Sequence, residues 1–302
     1  MVDEKQLRSI IEQVLGEMEL PDINREERHE IHAAAADTAV SYKEEGAEEG
    51  VLPDISQVNV RTQYLVENPR NKEAFYEMKQ YSPARLGIGK AGARYKTLPY
   101  LQFRAAHSAA QDSVFSDVDP EWIKKMDLFC VQTRCENKDM YLTRPDLGRR
   151  LNEQGVLAVK EKCRKNPQVQ IYISDGLSSA AVMANAADVL LSIQQGLKSF
   201  NIETGTPFFV KYGRVGVMDE ITQLTEALVT CVLIGERPGL LTAESMSAYI
   251  TYKGTIGMPE AHRTVVSNIH RFGTIPAEAG AHIAEIIKIM LEKKASGTQL
   301  KM

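Results

Sequence analysis

The sequence predicts an α/β fold built on a doubly wound, mainly parallel sheet, and three observations predict it. Short apolar or β-branched runs recur in the second half of the chain, at Val169, Ile171 and Ile173, at Phe208-Phe209-Val210, and from Leu228 to Ile234. Two of these runs lead straight into polar, glycine-bearing turns, Ser174-Asp175-Gly176-Leu177-Ser178 and Gly235-Glu236-Arg237-Pro238-Gly239. Segments with apolar residues at helical spacing lie between the runs, and strand–helix–strand alternation is how a sheet with helices on its faces reads in sequence. The carboxyl ends of parallel strands open on one crevice, so polar turns at those ends converge on one ligand.

The elements follow in order. Leu7, Ile10, Ile11, Val14, Leu15 and Met18 form one apolar stripe, which predicts an amphipathic helix within residues 1–20. The charged, Ala-rich tract that follows has little to bury and reads as a linker through residue 65. Residues 66–142 read as a mainly helical lead-in region punctuated by Pro83, Pro99 and Pro120, with Leu128 to Gln132 as its one strand-like run. From 143 to 302 the pattern is that of the sheet. Thr143 with Asp146 three residues on, and Pro145 between them, resembles a capped helix start, with the helix running to about Cys163. The strand at 169–173 turns at Ser174-Asp175-Gly176 into a helix bearing Val182, Val189, Leu190, Ile193 and Leu197. Phe208-Phe209-Val210 supplies a second strand, and Leu228 to Ile234 reads as a central parallel one. Ser247 to Tyr252 and Thr264 to Ile269 supply two more, and a last helix starts at Thr274 and Pro276. The whole is Rossmann-like.

Composition narrows the function. No apolar stretch approaches the roughly 20 residues that span a bilayer, and no cleavable signal pattern opens the sequence, which predicts a cytoplasmic protein. A net charge of −4 with both signs interspersed gives no nucleic-acid footprint. Cys130, Cys135, Cys163 and Cys231 lack metal or redox spacing and read as free thiols, and the six histidines show no zinc-ligand spacing. No serine-hydrolase elbow or phosphate-binding loop is present. Gly87-Ile88-Gly89-Lys90-Ala91-Gly92 matches the dinucleotide fingerprint in letters, but no buried strand feeds into it. What remains is a binding crevice, in which Glu236 can accept hydrogen bonds from amide groups.

Several long motifs occur in one order: Tyr141 to Arg150, Ile173 to Ser178, Gly205 to Val210, Tyr212-Gly213-Arg214-Val215, Ile234 to Leu240, Glu244-Ser245, and Ser267-Asn268-Ile269-His270 ahead of Pro276-Ala277-Glu278-Ala279. By these motifs, over residues 65 to 300, the chain resembles the small subunit of ethanolamine ammonia-lyase. The resemblance implies an adenosylcobalamin enzyme that converts ethanolamine to acetaldehyde and ammonia by radical chemistry, a carbon–nitrogen lyase shared with a large subunit that holds the substrate. No catalytic acid, base or nucleophile and no protein metal ligand is then expected here. Carried over by motif, the cofactor contacts fall on Val215, Glu236 and Val265. The family pattern has cysteine where Val265 stands, and valine keeps an apolar or backbone contact without the thiol.

Asn268-Ile269-His270-Arg271-Phe272-Gly273 echoes the D-x-H-x-x-G signature that places histidine on cobalt, with asparagine in place of aspartate. The resembled lyase keeps the cofactor's own base on cobalt, so His270 is expected at the crevice edge or an interface. The resemblance also implies packaging in a bacterial microcompartment through residues 1–20 and contact with its shell. Two other readings stand beside it, a dinucleotide-binding oxidoreductase and a non-catalytic microcompartment scaffold.

Overall fold

The computed structural model describes Ile55, residues 62–82 and residues 84–301. The amphipathic helix expected within residues 1–20 lies outside the described residues, as does most of the linker expected over 21–65.

A helical region comes first. Helix α1 (Lys72–Gln80) is capped by the Asn71 side chain, which accepts from Ala74 N. A two-stranded hairpin, β1 (Lys90–Ala91) and β2 (Arg94–Tyr95), precedes α2 (Thr97–Phe115) and α3 (Pro120–Lys125), whose first residue is Pro120 behind an Asp119 cap. The Gly87–Gly92 run therefore enters an antiparallel hairpin. A dinucleotide cradle needs a parallel strand feeding a helix, so this geometry lends the oxidoreductase reading no support.

The remaining strands form one six-stranded sheet. Strand β3 (Phe129–Gln132) is followed by α4 (Lys138–Thr143) and α5 (Glu153–Lys162). Then come β4 (Val169–Ser174), α6 (Ser179–Ser199), β5 (Phe208–Lys211), α7 (Val217–Thr225), β6 (Val229–Gly235), β7 (Met246–Tyr252), β8 (Thr264–Ile269) and α8 (Pro276–Lys293). The spatial order is β3-β5-β4-β6-β7-β8. The first four strands are parallel, β7 is antiparallel to both its neighbours, and β8 thus runs the same way as β6. The sheet is mixed and mostly parallel, and its order differs from the 3-2-1-4-5-6 of dinucleotide folds.

Both faces are covered, which is why β4 and β6 are buried throughout. On one face Ile171, Ile173, Phe209 and Leu233 pack with α6 and α8 through Val189, Ile193, Ile283 and Ile287. On the other, Tyr172, Phe208, Val210 and Val232 pack with α5 and α7 through Val159, Met218 and Ile221.

One local expectation is corrected. Thr143 ends a helix: its hydroxyl donates to Asp139 O within α4, and Asp146 pairs with Arg144 at 2.8 Å. The next helix starts at Glu153 under an Asn152 cap. Leu151 N donates to the Glu220 carboxylate on α7 and Asn152 N to Gln132 O on β3, so tertiary contacts place that start.

Candidate functional site

Four loops meet at the carboxyl rim of the sheet. Behind β4, Asp175 is buried and accepts from Gly176 N at 2.9 Å and Tyr212 N at 2.9 Å, tying the β4 turn to the β5 turn. Burial pushes its carboxyl up to about 6, against the opposing pull of the Tyr212 amide and of Lys138. Gly176 has φ +58°, and a Cβ there would lie 2.3 Å from Gly235 O, so this turn admits glycine alone. Leu177 N in turn donates to that carbonyl at 3.1 Å, joining the β4 and β6 turns.

Glu236 leaves the end of β6 half-buried. Its carboxylate accepts from Ser245 Oγ at 2.7 Å, from Ser247 Oγ, and from Asn268 N at 3.1 Å at the end of β8. Burial raises its pKa, but the two hydroxyls and the Asn268 amide outweigh burial and hold the carboxyl below its ordinary value. Among the described residues no arginine pairs with it.

These groups border a cavity of about 190 Å³, whose walls include Val215, Ile234, Leu177 and Tyr249. Arg214 enters from the β5 turn. Its guanidinium lies 4.2 Å from the Tyr141 ring centroid and donates to Tyr141 O at 2.7 Å, so its direction is set by a buried tyrosine. The cavity presents one ionised acceptor, donors from arginine and hydroxyl groups, and apolar walls. It holds no paired acid and base.

The structure brings Val215 and Glu236 into this one cavity. Val215 also packs against the core under α7. Val265 is not among the lining residues. It stands on β8 opposite Tyr249, which does line the cavity, and it is 44% exposed on the same face. His270 is buried, and both its ring nitrogens are engaged, Nε2 with Asn268 Oδ1 at 2.8 Å and Nδ1 with Phe272 N at 3.3 Å. Tyr141, Arg214, Ser247 and Tyr249 also line the cavity, which sequence reasoning did not foresee, because the lining depends on contacts between distant segments.

Comparison with known proteins places the chain in a family. A family model described as ethanolamine ammonia-lyase light chain (EutC) matches residues 72–301. Three curated relatives, each described as ethanolamine ammonia-lyase small subunit, are similar along the whole chain. The protein of Clostridium tetani is 54% identical over 100% of both chains, and that of Fusobacterium nucleatum 53% over 100% of both. The protein of Listeria monocytogenes is 51% identical over 99% of this chain and 100% of its own. With its long motifs in order and a family match over most of its length, the chain belongs to the ethanolamine ammonia-lyase light-chain family.

Proposed function

We propose that this chain is the small subunit of an ethanolamine ammonia-lyase, which splits ethanolamine into acetaldehyde and ammonia, and that it holds one edge of adenosylcobalamin while a large subunit completes the pocket and carries the substrate. The observation that supports this reading best is Glu236, an ionised carboxylate held by three donors and open on the rim cavity. Amide N–H groups rim the corrin ring, and a carboxylate is the acceptor they need.

The donor set suits the cofactor. Val215, Leu177 and Ile234 offer an apolar wall, while Arg214 offers a donor to side-chain carbonyls. At about 190 Å³ the cavity is smaller than the roughly 300–1,000 Å³ of complete small-molecule sites, as half of a shared pocket would be. When bound, the cofactor supplies the radical that abstracts hydrogen from substrate. The chain's own groups would bind and orient it: Glu236 would accept from an amide, Val215 would offer an apolar contact, and Val265 would add another from β8. In this reading residues 143–302 carry the cofactor-contacting rim, and residues 1–20 direct the enzyme into a bacterial microcompartment.

The test is reconstitution. The chain is expressed with and without its large subunit, adenosylcobalamin and ethanolamine are added, and acetaldehyde is followed. Activity that needs both chains is expected. Full activity from the large subunit alone, or none from the pair, would overturn the proposal.

A further inference from the structure

We infer that His270 is a positioning residue for Glu236, acting through Asn268, an inference that rests on the reading of Glu236 as a cofactor contact. His270 Nδ1 faces the Phe272 backbone N–H, so it must accept, and the proton of the neutral ring lies on Nε2. Nε2 therefore donates to Asn268 Oδ1. That bond fixes which way the Asn268 amide points.

Asn268 has φ +60°, a left-handed conformation that asparagine tolerates better than most residues. The turn aims its backbone N–H at Glu236 Oε1. It is closed by Thr274 N donating to Asn268 O at 2.9 Å and Gly273 N donating to His270 O at 2.9 Å. A Cβ at Gly273 would lie 2.2 Å from Asn268 O and 2.8 Å from His270 Nε2, so the turn leaves no room for a side chain there. Of the three donors to Glu236, the serine hydroxyls rotate. The Asn268 N–H does not, and it comes from the end of a different strand, so it fixes the carboxylate relative to β8. His270 is the side chain that locks it.

The experiment uses the assembled two-chain enzyme. Cyanocobalamin binding is measured by equilibrium dialysis, and adenosylcobalamin KM and kcat by acetaldehyde formation. His270→Leu should weaken cyanocobalamin binding and raise the cofactor KM about tenfold, the scale of one hydrogen bond to a charged group, with kcat at saturating cofactor changed less than about twofold. His270→Gln, which keeps an amide donor, should fall between wild type and His270→Leu. In a Glu236→Gln background His270→Leu should have little further effect, because it acts through that carboxylate. Wild-type binding by His270→Leu, or an additive loss in the double variant, would overturn the inference. Wild-type binding by Glu236→Gln alone would instead overturn the reading of Glu236. Should His270→Leu fail to fold, nitrogen-15 NMR of the intact enzyme decides: an Nε2–H tautomer is expected, and an Nδ1–H tautomer would overturn the inference.

Discussion

Two carboxylates at the same rim are driven in opposite directions by their surroundings. Asp175, buried under the β4 turn, is pushed up to about 6, whereas Glu236, ringed by donors, is held below the ordinary carboxylate range. An unfolded aspartate titrates near 3.9, so between about 4 and 6 the folded state keeps a proton that the unfolded state has lost. Stability therefore falls as pH rises through that window, by at most about 3 kcal/mol, and is level above it. Asp175→Asn removes this slope but turns an amide donor towards backbone donors at Gly176 or Tyr212. The variant is expected to be less stable than wild type, with the gap in melting temperature narrowing between pH 4.5 and 7. A constant gap across that range would refute the assignment. Glu236 was legible as a rim acceptor because it stands directly behind an apolar run. Ser245 and Ser247 were not legible as its partners, since nothing local distinguishes them from the other hydroxyls of that segment.

At the scale of elements, the β4–α6 unit was the clearest part of the sequence and its turn is the most constrained. Ser178 caps α6 by accepting from Ala181 N at 3.0 Å, donates to Ala243 O at 2.5 Å, and meets Ser113 Oγ of α2 at 2.8 Å. Ser178→Ala is expected to cost about 1–2 kcal/mol, because it removes a cap and two cross-element bonds at once. Thermal melting reads it, and a loss under about 0.5 kcal/mol would contradict the cap assignment. The start of α5 shows the opposite case. Asn137, Thr143 and Asn152 all satisfy the local rule for a cap residue, and only Asn137 and Asn152 cap helices. The rule ranks side chains by their own chemistry, while Glu220 on α7 and Gln132 on β3 decide where the chain turns.

At the scale of the whole molecule, the antiparallel β7–β8 hairpin is anchored by a buried ion pair. Arg263, just ahead of β8, donates to both Asp219 oxygens, at 2.7 and 3.0 Å, with their side chains 1% and 5% exposed. Asp219→Ala leaves the buried guanidinium with only the exposed Glu260 as carboxylate partner, at 2.7 Å, and should cost about 3 kcal/mol in urea unfolding, most of it recovered in Asp219→Ala/Arg263→Met, where no buried charge is left behind. An equal loss in both variants would show that packing, not charge, holds the hairpin. Among the described residues no helix is long and apolar enough to cross a membrane. Deleting residues 1–20 is expected to abolish microcompartment packaging, followed by co-sedimentation with shells, while acetaldehyde formation persists. Local composition alone determined the alternation of strands and helices, the polar turns behind β4 and β6, and a set of long motifs that place the chain in its family, because periodicity, caps and turn residues act over a few positions. The tertiary structure decided the insertion of β5 between β3 and β4, the antiparallel course of β7, and the meeting of Glu236 with Asn268 32 residues away. Strand order and cross-strand contacts depend on which apolar faces bury one another, and several arrangements bury the same residues equally well in sequence terms.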